Sequence, residues 1–187
     1  MFVVEGARSI RRLLDDGWPL ESVLLSTARA EARPDLVHDA VASGAIAYTA
    51  GQDLFDRIAG FHAHRGALAL ARRPPERSVA SVVAGCRLVL VVEAVTDHEN
   101  LGALFRNAAA FGAGAVVLDP STGDPLYRRS VRVSVGHVLR VPFARAAEWP
   151  GDLVGLKRLG FTLAALTPAG EKAVDEVAAG AGEEGTR

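Results

Sequence analysis

The sequence predicts an α/β protein in which a small N-terminal α/β domain precedes an open parallel sheet. Segments typical of strands and helices alternate along most of the 187 residues, and such alternation favours parallel strands joined by right-handed crossovers. Apolar residues form 49% of the chain, which is enough for a buried core. Pro74 and Pro75 interrupt the alternation, because proline continues neither a helix nor a central strand. We therefore expect a linker between two domains.

The first predicted domain, residues 1–72, alternates short strands and helices. Ile10, Leu13 and Leu14 recur at the spacing of one helical face, and the pattern stops at Gly17, which together predict the first helix. The predicted strands of this domain are residues 2–5, 21–26, 45–50 and 66–73. Its predicted helices are residues 6–17, 33–44 and 52–60. The domain is close to the lower size limit for independent folding.

The second predicted domain, residues 86–187, follows a linker at residues 73–85. Residues 87–95 form a nearly continuous apolar run, as expected for a strand that is buried on both faces of a parallel sheet. Its further predicted strands are residues 115–119, 139–144 and 161–167. Its predicted helices are residues 99–112, the first part of 124–139, and 148–160.

Composition argues against several classes of protein. Cys86 is the only cysteine, so an internal disulfide framework is excluded. No apolar run is long enough to span a bilayer, and the first residues lack the order of a signal peptide, so we expect a cytoplasmic protein without a membrane partner. Aromatic residues at 6% are too few for a module that stacks RNA bases on a sheet.

Two histidines stand close together in a polar loop. His62 and His64 have the chemistry of metal ligands, but no cysteine or further histidine stands at metal-site spacing. We therefore expect no metal, and we interpret His64 and Arg65 as part of an exposed loop.

The charge is unevenly placed although the formal net charge is only −1. Five arginines fall close together with Asp124 as the only acid among them: Arg128, Arg129, Arg132, Arg140 and Arg145. A local basic cluster on a nearly neutral protein suits a polyanion site. The alternative is a solvated helix face with no ligand.

The stretch 96–113 has the strongest functional pattern. It lies where the first strand of the second domain turns into its helix, and ligands of open α/β sheets bind at the carboxyl ends of strands. Gly102 would let two elements approach closely, and Arg106, one helical turn later, could form a forked contact with a phosphate. The alternative is that Asn100 only caps the helix and Arg106 is an ordinary surface residue.

This stretch resembles the first signature motif of the SpoU branch of the SPOUT RNA methyltransferases. Its residues read D-x-x-N-x-G-A-x-x-R-x-A-x-A-F-G, from Asp97 to Gly112. Residues 128–142 resemble the family's later stretch through Ser134, Gly136 and Pro142. The first domain, with Glu5 followed by Gly6, is similar to the small α/β RNA-binding domain that many members carry.

The resemblance implies an enzyme that moves a methyl group from S-adenosylmethionine to a ribose 2′-hydroxyl of rRNA or tRNA. Arg106 would be the central catalytic residue, and Asn100 would support it. Because the pKa of a free arginine is above about 12, we favour a phosphate clamp and alkoxide stabiliser over a base. The residues that would bind RNA are Arg128, Arg129, Arg132, His64 and Arg65.

The resemblance stops before two further signatures of the family, G-x-E-x-x-G and S-L-N-V-S-x-A, which are absent. We therefore expect a truncated SPOUT sheet with an incomplete knot, a doubtful dimer, and a weak donor site with Leu166 and Thr167 as one wall. A non-catalytic RNA-binding fragment is the alternative function. A nucleotide-binding Rossmann protein is disfavoured, because G-x-G-x-x-G is missing.

Overall fold

The computed structural model describes residues 1–60 and 65–177, and its N-terminal part is built on a four-stranded mixed sheet. The strands are β1 Phe2–Glu5, β2 Leu20–Ser26, β3 Ile46–Ala50 and β4 Ala67–Ala71. Their order in the sheet is β1-β4-β2-β3. β2 and β3 are parallel, whereas β4 runs antiparallel to both of its neighbours. All four strands lie where the sequence predicts them.

Four helices belong to this part of the chain: α1 Ala7–Asp15, α2 Thr27–Ala32, α3 Pro34–Ala42 and α4 Gln52–Ala59. Ile10 and Leu13 of α1 are fully buried, as their helical spacing predicts. The sequence analysis missed α2, which buries no residue. It begins because the Ser26 hydroxyl accepts a hydrogen bond from the backbone N–H of Arg29, a local cap that leaves no apolar period to detect.

The second sheet is entirely parallel, in the order β5-β6-β7. Its strands are β5 Val89–Val92, β6 Ala115–Leu118 and β7 Phe143–Arg145. The helices of the second half are α5 Val79–Val83, α6 His98–Ala110, α7 Arg128–Val133 and α8 Gly151–Arg158, with a 3-10 turn at His137–Leu139. All four residues of β6, the central strand, are buried, as a strand covered on both faces requires.

The predicted linker is partly helical. Ser78 caps α5 by accepting a hydrogen bond from the N–H of Ser81, and Val82 and Val83 are buried. The residues between Arg73 and Arg77 are exposed and irregular. The two sheets lie on either side of this segment, so no sheet continues across it.

The core is shared by both sheets. Val4 and Leu25 of the first sheet belong to the same buried apolar cluster as Leu101 of α6 and Val116 of β6. Residues Met1–Ala146 accordingly form one compact unit, and a second unit begins at Ala147. The division into domains 1–72 and 86–187 stays a prediction. No helix in the described ranges 1–60 and 65–177 has the length and apolar character needed to cross a membrane.

The prediction of a strand at residues 161–167 was wrong. These residues are irregular, and most of their side chains are exposed. The prediction rested on β-forming composition, but a strand needs a neighbour for its backbone N–H and C=O groups. Within the described residues, this segment pairs with no strand.

Candidate active site and RNA-binding surface

The stretch 96–113 forms the loop after β5 and then α6. The carboxylate of Asp97 accepts hydrogen bonds from the backbone N–H groups of Glu99 and Asn100, at 2.9 and 2.8 Å. Asp97 is therefore the N-cap, and the alternative that placed the cap at Asn100 was wrong. Asn100 lies in the first turn with its residue surface exposed. Leu101 and Phe105 on the opposite side are fully buried, which fixes the orientation of the helix.

Gly102 allows α6 and α7 to pack closely. A Cβ atom at this position would lie 2.7 Å from the carbonyl oxygen of Ser130 and 3.0 Å from the Cβ of Val133. Cβ atoms do not approach a backbone oxygen that closely, so glycine is required by the contact itself. The close helix contact that the sequence predicted is present, and it links α6 to the helix that carries three arginines.

Arg106 is exposed near the middle of α6. It makes no hydrogen bond or ion pair with the residues that the structure describes. Its charge acts on His137, whose pKa is lowered by burial and then by the positive charges of Arg12, Arg140 and Arg106. The lowered pKa favours the neutral form of His137, and Arg106 shares this neighbourhood with the positive charges of Arg12 and Arg140. An unpaired guanidinium in such a place is available to an anionic ligand.

The α7 arginines are partly neutralised by acids from other elements. Arg129 donates two hydrogen bonds to one carboxylate oxygen of Glu99, at 2.9 and 2.7 Å. Arg132 lies 3.5 Å from the carboxylate of Glu5. Arg128 is half-buried and also interacts with the protein.

Arg140 and Arg145 are held within the protein. Arg140 forms a forked ion pair with Asp16, at 2.7 and 3.1 Å. Arg145 donates to the carbonyl oxygens of Asp119 and Thr122, at 2.7 and 2.8 Å, and so fastens the loop after β6. Folding therefore brings acids from distant parts of the sequence to Arg129, Arg132 and Arg140. The polyanion site at this cluster stays a prediction.

The residues Ser134 to Gly136 form a tight turn between α7 and the 3-10 turn. The Ser134 hydroxyl donates to the carbonyl of Val131 and accepts from the N–H of Val138. Val135 and Gly136 both have positive φ angles, 54° and 79°. Arg12 donates a hydrogen bond to the carbonyl of Val135, so this turn is joined to α1. Gly112, with φ of 74°, ends α6 in the same left-handed conformation.

Three residues singled out in the N-terminal part of the chain lie around the start of α1. Glu5 is 4% exposed, and Gly6 precedes α1. Arg65 is exposed and lies close to Gly6, with its Cδ 3.3 Å from where a Cβ of Gly6 would be. His62 and His64 lie outside the described residues. Among the residues described, no group of three histidine, cysteine or acidic side chains could hold a metal ion.

The predicted donor wall is exposed. Leu166 is 78% exposed, and Thr167 is exposed beside it. Neither lines the recesses beside Phe2, Trp18 and Gly6. The donor wall at these two positions stays a prediction.

Asp119, at the end of β6, was missed by sequence reasoning. It is 4% exposed, and its carboxylate accepts hydrogen bonds from the N–H of Ala94, the N–H of Thr122 and the hydroxyls of Ser121 and Thr122. Burial raises the pKa of Asp119, but these hydrogen bonds outweigh it and the pKa is lowered overall. Ala94, which has a positive φ of 54°, belongs to the loop that leads into α6. The sequence feature that could have identified Asp119 is an acidic residue directly after a buried strand.

Residues 87–183 match the family model described as the SpoU rRNA Methylase family. The chain is 51% identical over 171 residues to an uncharacterized tRNA/rRNA methyltransferase from Mycobacterium bovis, an alignment that covers 91% of this chain and 58% of the relative.

Solved structures give the same fold. The SpoU methyltransferase AviRb from Streptomyces viridochromogenes, in complex with the cofactor AdoMet, matches with a TM-score of 0.70 at 22% identity, over 87% of this chain and 61% of that one. An RNA 2′-O ribose methyltransferase matches with a TM-score of 0.67 at 29% identity, over 91% and 64% of the two chains. This chain thus spans about three fifths of the length of these proteins.

Proposed function

This chain belongs to the SpoU rRNA methylase family, and on that premise we propose that it acts in the S-adenosylmethionine-dependent methylation of a ribose 2′-hydroxyl in rRNA or tRNA. The names of the relatives support an RNA substrate. The AdoMet complex of AviRb supports the donor, and the ribose as acceptor is supported by the 29% identical RNA 2′-O ribose methyltransferase.

One structural observation carries the proposal. Arg106 is exposed on α6 and has no carboxylate partner among the described residues, although most neighbouring arginines do. A guanidinium without an internal partner can fork onto a phosphate oxygen pair and fix its orientation. Asn100 lies on the same helix, in the turn that Asp97 caps.

The proposed role of Arg106 is to position the target nucleotide and stabilise charge on its oxygen. The 2′-oxygen gains negative character as its proton leaves, and a fixed cation lowers the energy of that charge. Arginine remains protonated near pH 7, because its ordinary pKa is above about 12. Orientation of the ribose by the phosphate contact supplies a further part of the rate.

Leu166 and Thr167 are exposed, and the donor wall predicted at these positions stays a prediction. The proposed contribution of the described residues is therefore limited to the RNA side of the reaction: binding the phosphate, orienting the ribose and stabilising its oxygen.

The experiment replaces Arg106 by lysine in the natural protein. Methyl transfer should fall by on the order of a hundredfold or more, because lysine lacks the planar fork and misplacement at the reacting centre is costly. RNA affinity should change little, because the charge is retained. Replacing Arg128, Arg129 and Arg132 together by alanine should instead weaken RNA binding and flatten its salt dependence by roughly one unit of slope per lost phosphate contact.

Two results would contradict these roles. Full methyl-transfer activity of the Arg106→Lys variant would show that Arg106 has no role in the reaction. An unaltered salt slope in the triple variant would show that the ion pairs with Glu99 and Glu5 keep the α7 arginines away from RNA.

A non-catalytic RNA-binding role is the second candidate, and the exposure of Leu166 and Thr167 favours it. Calorimetry with S-adenosylmethionine separates the two for the 187-residue chain. We expect weak or undetectable binding of the donor by this chain, and tight stoichiometric binding would contradict that expectation.

A further inference from the structure

A positively charged recess of about 390 Å³ lies where the start of α1, the segment before β4 and α7 come together. Its charged lining consists of Arg8, Arg29, Arg65 and Arg132. Backbone of the Gly6–Ser9 segment forms another part of its wall. Arg106 does not line it, so the recess is separate from the position proposed for chemistry.

Acidic side chains of the described residues neutralise little of the positive charge of these four arginines. Arg8 and Arg65 form no ion pair or side-chain hydrogen bond with the residues that the structure describes. Arg29 donates through Nε to the backbone carbonyl of Arg65, at 3.1 Å, which is a neutral acceptor. Only Arg132 has an acid, Glu5, at 3.5 Å. The lining therefore has an excess of three positive charges over that one carboxylate, which favours an anion.

Glu5 positions Arg132 at the recess. Its side chain is only 5% exposed, and Oε2 has no hydrogen-bond partner among the described residues. A buried carboxylate of this kind is stabilised by the nearby guanidinium. Arg132 is consequently held beside the recess by an interaction that leaves other N–H groups of its fork for a ligand.

The start of α1 adds backbone donors to this wall. The helix has nine residues, and no side chain caps it at Gly6. The N–H groups of Ala7, Arg8 and Ser9 have no backbone acceptor in the described residues, and the positive end of the helix dipole lies at the same place. Together with the arginines, these groups match the charge and the acceptor-rich chemistry of a phosphate.

Two glycines allow Arg65 to lie beside the start of α1. Gly66 places Arg65, since a Cβ there would lie 2.4 Å from the Ser26 hydroxyl oxygen. Gly6 lets the Arg65 side chain cross the backbone at the start of α1, 3.3 Å from a Cβ built on that glycine. The arginine therefore lies over the helix start because both positions lack a side chain.

We propose that this recess binds one phosphate of the RNA backbone, at a nucleotide other than the one that is methylated. The proposal rests on the proposed function only in taking RNA as the source of the phosphate. A free phosphorylated small molecule has the same recognition chemistry, so the experiment includes both sources.

The experiment compares two double variants of the 187-residue chain that lose equal charge. Arg8→Gln with Arg65→Gln removes two recess arginines without an internal partner. Arg77→Gln with Arg87→Gln removes two exposed arginines that do not line the recess. Circular dichroism and thermal unfolding check that each variant is folded. Binding of labelled bulk tRNA and of fragmented rRNA is measured over a range of salt concentrations, and inorganic phosphate and AMP are titrated by calorimetry.

The recess variant should bind RNA roughly tenfold or more weakly and lose about one unit of salt slope for its phosphate contact, whereas the control should keep the slope. The proposal would be overturned if both variants lost the same RNA affinity, or if the recess variant lost none. Saturable micromolar binding of phosphate or AMP that requires Arg8 and Arg65 would overturn RNA as the source. Absence of RNA binding by the unmodified chain would instead count against the proposed function.

Discussion

Asp119 holds together the loops on either side of the second sheet. Its carboxylate joins the N–H of Ala94, before α6, to the N–H and hydroxyl of Thr122, after β6. The backbone of the same loop is held from outside by Arg145. One buried acid therefore orients the segment from which the α6 motif begins, and its effect on the site is through positioning.

Replacing Asp119 by asparagine should lower the free energy of unfolding by about 1.5–3 kcal/mol, the range for hydrogen bonds to a charged group. Because the folded pKa of Asp119 is below its unfolded value, its stabilisation is present above about pH 4 and is lost as the pH falls through the folded pKa. Urea unfolding of both proteins between neutral and acid pH measures this.

The difference between the two proteins should be constant above about pH 5 and shrink under acid conditions. A difference that stays the same at low pH, or grows there, would contradict the assigned ionisation of Asp119.

At the scale of elements, the packing of α6 on α7 decides where the candidate site residues Asn100 and Arg106 lie. Gly102 makes the contact possible, and Asp97 sets the start of α6. The polar positions of the helix then face outward, while Leu101 and Phe105 enter the core. A displacement of α6 would therefore move Asn100 and Arg106 relative to α7.

Gly102→Ala should destabilise the protein by about 1–3 kcal/mol, the usual cost of overpacking, because the added methyl group would lie 2.7 Å from the Ser130 carbonyl oxygen. Gly155→Ala in α8 is the matched control. A Cβ there meets nothing within 4 Å, so the change should be neutral or stabilise by about 0.5–1 kcal/mol.

Urea denaturation of the two variants beside the unmodified chain checks this. A Gly102→Ala protein as stable as the Gly155→Ala protein would show that the helices are not in close contact.

The elements with an apolar period or a β-rich run could be predicted from the sequence. All seven strands of the structure overlap predicted strands, and α1, α3, α4, α6, α7 and α8 overlap predicted helices. The short helices α2 and α5 could not be predicted from the sequence, because each depends on a single serine cap. The segment 161–167 has the composition of a strand, but strand formation depends on a neighbour that composition does not reveal.

At the scale of the whole molecule, charge pairing was the feature least accessible to sequence reasoning. Arg140 pairs with Asp16, 124 residues away, and Arg73 pairs with Asp124. Such contacts depend on tertiary packing and leave no local pattern. The candidate site itself was easier to find, because Asn100, Gly102 and Arg106 stand within two turns of one helix.

The two sheets share one core, and the proposed phosphate recess has arginines from both halves of the molecule. Elements of the first sheet's half supply Arg8, Arg29 and Arg65, while α7 of the second half supplies Arg132. The positive surface is therefore built jointly by both halves of the compact unit Met1–Ala146, although the net charge of the chain is −1. A local excess of positive charge is sufficient to attract a polyanion at short range.

The position of the transferred methyl group tests the central claim most directly. The natural protein is incubated with rRNA or tRNA and S-adenosylmethionine carrying a labelled methyl group, and the RNA is then hydrolysed in alkali. A methylated 2′-oxygen cannot attack the neighbouring phosphate, so ribose methylation protects that linkage. We predict that the label is recovered in alkali-resistant dinucleotides and is nearly absent with Arg106→Lys. Label on single nucleotides methylated at the base, or undiminished labelling with Arg106→Lys, would contradict ribose methylation directed by Arg106.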